Sequence, residues 1–307
     1  MINSGNGDGT QHEFRLELPL TIREAWLQAS SCLSASSVAD GQHHAELLLR
    51  HALGWERAAY LSRLLELLPE AAAAAYGAMI ARRALGEPTQ YIMGEAYFYG
   101  LRFEVSADVL IPRPETELLV EAVLEETKLL YGDLASLRAA DIGTGSGAIA
   151  CTLAYERPEW QLVAVDISPG ALQMARHNAA MLHVDERIEW LEGDLIMPLQ
   201  GRLPVDILIS NPPYIPEADM LELQREVRDF EPHTALVGGA DGLDPYRRIM
   251  GMLSHLSERP RMLAFELGQG QAPEVAALVE QAGYTEKIRI VQDLAGIERH
   301  VIGIRPL

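Results

Sequence analysis

Two cysteines in 307 residues are too few for a disulfide framework or a four-thiolate zinc site. Cys32 and Cys151 each fall in a stretch with helical patterning, where a cysteine serves as a small buried hydrophobe. No apolar run approaches the roughly 18 residues that a membrane helix needs. The Gly/Asn/Asp-rich opening, Met1 to Thr10, lacks the basic-then-apolar pattern of a signal peptide. These absences point to a cytoplasmic protein with no membrane partner and a flexible tail over residues 1–20. Positive charge is also scarce: 25 Lys and Arg stand against 44 Asp and Glu, a net charge of −19. The chain up to Arg113 holds 9 basic and 13 acidic side chains, and the rest holds 16 and 31. An enzyme of nucleic acid neutralises phosphates along a basic face. No Lys/Arg stripe is visible, which weighs against direct nucleic-acid binding. His43-His44 with Glu46 and His51 match no common metal spacing and read as a solvated helix face, so no metal is expected.

What is present is enough apolar sequence, 48%, for two modest domains. From Thr21 to about Leu85 the periodicity is helical. Thr21-Ile22-Arg23-Glu24 forms a capping box, Gly54 is a stop signal, and Pro69 introduces an alanine-rich helix, Glu70 to Arg83. Residues 21–87 read as a small all-α bundle. Residues 88–113 change character: aromatic and β-branched residues alternate with glycine turns between Tyr91 and Val109, as in a β-hairpin linking two domains. Residues 114–307 begin with a helix, Glu115 to Tyr131, behind Pro114. Short apolar runs then alternate with helical stretches. The strands expected are Ala139–Ile142, Gln161–Ile167, Ile188–Glu192, Val205–Ser210, Met262–Leu267, Glu286–Gln292 and His300–Arg305. The fold class is α/β: a Rossmann-like, mostly parallel seven-stranded sheet whose last two strands are antiparallel.

Asp141-Ile142-Gly143-Thr144-Gly145-Ser146-Gly147 falls between a strand and a helix. Glycines there let a ligand approach the backbone, and the following helix offers free N–H groups. The next strand ends in Asp166, about 20 residues on, where a doubly wound fold sets a carboxylate against ribose hydroxyls. A bare tight turn is the alternative for the glycines alone; the strand, helix and Asp166 in register favour a nucleoside. The spacing is Gly-x-Gly-x-Gly rather than that of the NAD fingerprint. Asp141 would repel a pyrophosphate and attract the ammonium of a methionyl group. Asp194, at the end of the third strand, is placed either to meet an adenine amino group or to cap the next helix.

Asn211-Pro212-Pro213-Tyr214 follows roughly 60 residues later, at the C-terminal end of an apolar strand. Two prolines freeze the backbone and leave carbonyls without competing N–H groups. The Asn211 side-chain oxygen and the Pro212 carbonyl form an acceptor pair for both hydrogens of an NH2 group. Tyr214 can pack against the planar group. Either motif alone is a turn or a cofactor loop. Together they indicate methyl transfer from S-adenosylmethionine to an sp2 nitrogen, with Asn211 and Pro212 catalytic.

The chain resembles the HemK/PrmC family of protein-(glutamine-N5) methyltransferases from about residue 20 onward. The segments that carry the resemblance are Pro88 to Gly94, Val109-Leu110-Ile111-Pro112-Arg113-Pro114-Glu115-Thr116-Glu117, Glu231-Pro232 through Tyr246-Arg247, and Phe265-Glu266-Leu267-Gly268 with Gln271. The resemblance implies methylation of the glutamine in the Gly-Gly-Gln motif of class I peptide-chain release factors. It implies cofactor contacts at Gly143, Thr144, Gly145, Ser146, Gly147, Asp166, Asp194, Leu195 and Asn211, and a glutamine held by Asn211, Pro212, Pro213 and Tyr214. The helical bundle is then a substrate-docking domain, since it contains none of these residues. The hairpin, Glu95-Ala96-Tyr97-Phe98-Tyr99-Gly100, departs from the family pattern of Glu followed directly by Phe. Tyr97 and Phe98 are therefore both candidates to face the cofactor. Three other readings stand beside this one. They are a ribosomal-protein glutamine methyltransferase, a methyltransferase of adenine or guanine in nucleic acid, and a non-catalytic cofactor-binding module.

Overall fold

The computed structural model describes residues 14–133 and 135–307. The chain divides into two compact units, Met1–Gly94 and Glu95–Leu307. The first contains helices α1 (Ile22–Ala35), α2 (Gly41–Leu53), α3 (Arg57–Ser62), α4 (Glu70–Ala84) and α5 (Thr89–Met93). Thr21 and Glu24 close the expected capping box on α1, and Gly54 ends α2 in the left-handed conformation. Ile22, Leu33, Leu48, Leu49, Tyr76 and Ile80 form the centre of the bundle. Two expectations change here. Of the tail expected over residues 1–20, residues 1–13 lie outside the described part. Phe14 and Leu16 pack against the bundle, and Leu20 is buried in it. These apolar side chains reward packing more than they cost in order. Residues 89–93, expected to enter the hairpin, form α5 instead; Tyr91 and Ile92 are buried on one turn of helix.

The hairpin itself is β1 (Glu95–Phe98) paired antiparallel with β2 (Leu101–Glu104). Tyr99 and Gly100 both take positive φ, 52° and 74°, the backbone of a two-residue hairpin turn. The second unit continues through α6 (Pro114–Tyr131), β3 (Arg138–Ile142), α7 (Ala148–Glu156), β4 (Gln161–Asp166), α8 (Pro169–Met181), β5 (Ile188–Glu192) and β6 (Ile207–Ser210). It ends with α9 (Arg225–Phe230), α10 (Asp244–Met252), β7 (Met262–Glu266), α11 (Ala272–Gln281), β8 (Lys287–Gln292) and β9 (Glu298–Ile304). All seven expected strands are present within two residues at each end.

They form one sheet in the order β5-β4-β3-β6-β7-β9-β8. The first five are parallel, and β9 runs antiparallel to both its neighbours. Side chains alternate between two cores. Ala139, Leu162, Ala164, Ile207 and Ile209 meet α6, α7 and α8, whereas Ala140, Val163, Val165, Leu208 and Leu263 meet α10 and α11. Strands buried on both faces read as unbroken apolar runs, which is how these appear in the sequence. The chain runs β3 to β4 to β5 and then returns to place β6 on the other side of β3. The switch between β3 and β6 opens the crevice in which such sheets bind ligands.

Close packing extends to β9. A Cβ at Gly303 would lie 2.2 Å from Val279 Cγ1 on α11 and 3.1 Å from Tyr284 Cβ. We expect Gly303→Ala to lower stability by about 1–3 kcal/mol, the usual cost of overpacking a core. Chemical denaturation would measure it, and an unchanged midpoint would mean that α11 yields freely.

Candidate active site

The register of the sheet builds the site. Ile142 pairs with Ser210 and with Val165, so β3, β6 and β4 end level with one another. Neighbouring strands lie about 4.8 Å apart. The glycine loop, Asn211 and Asp166 therefore stand side by side, although the sequence spreads them over some 70 residues. The Ser210 hydroxyl donates to the Ile142 carbonyl at 2.7 Å and joins the two strand ends.

The glycine loop is fixed from below. Gly143 and Thr144 both donate to the Val165 carbonyl, at 2.8 and 3.0 Å. Gly145 donates to Asp166 Oδ2 at 2.8 Å, and the other oxygen of Asp166 takes the Ser168 N–H at 2.9 Å. Gly143 and Gly145 have positive φ, with open space where a side chain would stand. A ligand can thus lie directly on the backbone, beside the N-terminus of α7. Burial raises the pKa of Asp166, against the lowering effect of the N–H groups of Ser168 and Gly145. It remains partly exposed, with lone pairs left for further donors.

Three expected loop residues act differently from the simple reading. Asp141 is fully buried under the loop. Its Oδ2 accepts from the Thr144 hydroxyl at 2.6 Å and from the Ala150 N–H at 3.1 Å, and so caps α7 from inside. Its Oδ1 is buried as well and has no hydrogen-bond partner among the described residues. The Thr144 hydroxyl is committed to Asp141, and Ser146 is buried. What they offer a ligand is backbone. Gly147, with φ of 81°, sits against Ala175 and Cys151 at the start of α7.

Asp194 lies two residues beyond β5 and does not cap the turn that follows. Its carboxylate is paired with Arg248 of α10. Leu195 follows at a φ of 48°, a backbone that non-glycine residues adopt rarely. In the hairpin, Phe98 is buried edge-on against Phe103 at 6.1 Å, whereas Tyr97 is 68% exposed. The core has therefore taken Phe98, and Tyr97 presents the open ring.

Around Asn211 the arrangement is tight. Asn211 Nδ2 donates to Thr116 Oγ1 at 3.1 Å. Among the described residues nothing donates to Asn211 Oδ1 or to the Pro212 carbonyl. Two acceptors on consecutive residues are thus free of protein donors, on a half-buried Asn211 and a buried Pro212. The rest of the motif is clamped: Gln271 Nε2 donates to the Tyr214 carbonyl at 3.0 Å, and Gln271 Oε1 takes the Gly268 N–H at 2.8 Å. A Cβ at Gly242 would lie 2.1 Å from the Tyr214 carbonyl oxygen, so the backbone there comes as close as glycine allows. The Tyr214 ring packs on the second core, and burial pushes its hydroxyl pKa well up, with Glu266 adding to the rise.

The roles of Thr116, Gln271 and Asn178 are not visible in motif spacing. Asn178 accepts from the Glu104 N–H at 2.8 Å and donates to the Glu104 and Ser146 carbonyls at 3.0 and 2.9 Å. It ties the hairpin to the glycine loop. A lone Asn in an amphipathic helix gives no signal of this. Among the described residues no group of His, Cys, Asp and Glu is arranged to hold a metal.

Comparison with known proteins agrees with this layout. Residues 24–94 match the family described as the PrmC N-terminal domain, and residues 114–226 match the Methyltransferase small domain. A release factor glutamine methyltransferase of Moorella thermoacetica is 41% identical over 93% of this chain and 99% of its own length. That of Bacillus subtilis is 38% identical over 92% of this chain and 98% of its own. Among solved structures, the N-terminal domain of human METTL16 aligns with a TM-score of 0.53 and 20% identity, over 75% of this chain and 83% of that one. That likeness concerns the fold.

Asp141 gives the site a pH dependence. Burial raises its carboxyl from the ordinary 3.8 to about 7, opposed by the bonds from Thr144 and Ala150. Between those values the native protein holds a proton that the unfolded chain has released. The stability this contributes is complete below 3.8 and is lost as the pH climbs through about 7. Asp141→Asn keeps an acceptor for Ala150 and Thr144 but does not titrate. Its Tm relative to the unaltered protein should therefore rise between pH 5 and pH 8. An equal difference at both pH values would show that the carboxyl is not titrating in that range.

Proposed function

Because the chain belongs to the release factor glutamine methyltransferases and is an S-adenosylmethionine-dependent methyltransferase, we propose that it methylates the side-chain amide nitrogen, N5, of the glutamine in the Gly-Gly-Gln motif of class I peptide-chain release factors. The observation that carries this reading is the pair of open acceptors, Asn211 Oδ1 and the Pro212 carbonyl, beside the glycine loop.

S-Adenosylmethionine, when bound, supplies an electrophilic methyl group. The residues present fit it. Gly143 and Gly145 leave a bare backbone cradle, and Asp166 at the end of β4 can accept from ribose hydroxyls. Asp194 and Leu195 edge the adenine side, where Asp194 shares its charge with Arg248. Asn211 and Pro212 receive the two hydrogens of the amide NH2 and hold the nitrogen in place. Accepting both hydrogens also favours a pyramidal nitrogen over the planar resonance form. No strong base is needed, because the nitrogen becomes acidic only as the new bond forms, so positioning dominates. Pro213 stiffens the clamp, and Tyr214 walls it.

The glycines that flank the substrate glutamine make physical sense. Lacking side chains, they thread a narrow opening and take φ values that other residues avoid. Glutamate should be rejected, since it has no NH2 and brings a negative charge to two carbonyl oxygens. Asparagine, one methylene shorter, leaves its nitrogen about 1.5 Å short, and such misplacement costs on the order of a hundredfold. The helical unit carries none of these site residues, which supports a role in docking the release factor.

Two measurements test the proposal. Asp166→Ala should weaken S-adenosylmethionine binding by about tenfold or more, since bonds to a charged group are worth roughly 1.5–3 kcal/mol. Unchanged affinity by calorimetry would remove Asp166 from the cofactor site. Mass spectrometry of a release factor incubated with enzyme and cofactor should show one added methyl, on the Gly-Gly-Gln glutamine. Parallel arms with a ribosomal protein and with DNA should stay unmodified, and a chain starting at Glu95 should methylate the release factor poorly. Methyl transfer to DNA with none to the release factor would overturn the reading.

A further inference from the structure

The segment Ile111-Pro112-Arg113-Pro114-Glu115-Thr116-Glu117 is fastened at four points. The Ile111 N–H donates to Glu231 Oε2 at 3.4 Å, and Arg113 pairs with Glu231 Oε1 at 2.5 Å. Glu231 is itself buried, 3% exposed, and Arg113 is partly exposed, so the pair is anchored at its acid end. Glu117 Oε1 accepts the Tyr99 N–H of the hairpin at 2.7 Å. Thr116, in the first turn of α6 and 4% exposed, takes the hydrogen bond from Asn211 Nδ2 at 3.1 Å.

We infer that Thr116 is a positioning residue for methyl transfer: its hydroxyl oxygen occupies the amide nitrogen of Asn211 and so turns the amide oxygen toward the substrate. This rests on the reading of Asn211 as the acceptor of the glutamine NH2. An asparagine amide has two ends of nearly equal size and opposite hydrogen-bonding character. Turned over about its last torsion, Asn211 would present donors to a substrate that offers only donors. A terminal sp2 torsion of this kind is soft; a threonine hydroxyl can donate as well as accept, and the bond present, with Nδ2 donating and Thr116 accepting, is the one that leaves the productive face outward. The three other fastenings hold α6 itself, and hence the Thr116 oxygen, at a fixed distance from the end of β6. The same segment thus links the hairpin, the loop at Glu231 and the acceptor residue.

Thr116→Val keeps the shape and removes the oxygen. We expect kcat on release factor to fall on the order of tenfold to a hundredfold, the range for loss of alignment at a reacting group. KM for the release factor, affinity for S-adenosylmethionine, and Tm should change little. Thr116→Ser restores the oxygen and should recover most of the activity, which a purely packing role for the methyl group would not permit. Asn211→Ala should be severely impaired, and adding Thr116→Val to it should cost nothing further, because the hydroxyl then has no amide to orient. Thr116→Val with unaltered kcat, beside an impaired Asn211→Ala, would overturn the inference while leaving the proposed function standing. An additive double variant would overturn it as well. A fully active Asn211→Ala would instead sink the reading of Asn211 on which the inference depends.

Discussion

The parallel pairing of β3 with β6 is the constraint on which the rest depends. Ile142 and Ser210 stand opposite one another in the ladder, and the Ser210 hydroxyl closes the strand ends with a bond to the Ile142 carbonyl. A shift of one residue would turn every side chain of β6 to the wrong face, exchanging its two sets of buried apolar residues. Ile207 and Ile209 belong to one core and Leu208 to the other, all apolar, so the slip is opposed by repacking of both cores and by loss of the Ser210–Ile142 bond. The positions of Gly143 and Asn211 relative to each other are thus set by the β3–β6 ladder, the Ser210–Ile142 bond and packing on both faces of the sheet. The catalytic geometry inherits the stability of the core.

Around that fixed point the loops are held by polar side chains used as struts. Asp166 connects the glycine loop to β4, Asn178 connects it to the hairpin, and Gln271 connects Tyr214 to the turn after β7. In each case a single side chain satisfies backbone groups of two separate segments. Loops at a ligand site cannot satisfy their own backbone polar groups with regular ladders. Side chains that do so give the loops a rigidity they would otherwise lack. Burial makes these bonds costly to leave unmade, which is why each such strut behaves as part of the site.

Much of this could be read from the residues. The capping box at Thr21, the glycine stop at Gly54, the strand runs and the order of the two motifs were all legible, because each is a local pattern with a local cause. What is less legible is of a different kind. Thr89 to Met93 carries β-branched and aromatic residues, yet it forms a helical turn because Tyr91 and Ile92 are buried that way; tertiary packing overrides propensity over so short a stretch. Asp141 looked like a ligand-facing carboxylate, since sequence alone cannot tell the side of a strand that faces a helix terminus from the side that faces solvent. Asp194 reads the same whether it caps a helix or pairs with a cation 54 residues away, as it does with Arg248. Thr116 lies 95 residues from the amide it holds. Partners at such distances follow from topology, and no local spacing encodes them.

The chemistry that emerges is one of acceptors. The groups free of donors at the end of β6 are a side-chain carbonyl and a backbone carbonyl, and the two cations that act on Tyr214, Arg299 and Arg113, are paired with Asp293 and Glu231. Neutral oxygens of this kind distinguish an amide from a carboxylate by sign as well as by shape: the amide brings two positive hydrogens, the carboxylate a negative charge. A site that instead offered a cation would bind glutamate at least as well as glutamine. The overall excess of acidic residues, −19, points the same way, because a negative field favours a sulfonium donor and opposes an anionic impostor. Under the proposed function, discrimination and alignment therefore come from one arrangement. On the proposed reading, the oxygens that would exclude the wrong side chain would also fix the nitrogen of the right one, and neither task calls for a group that changes its protonation state.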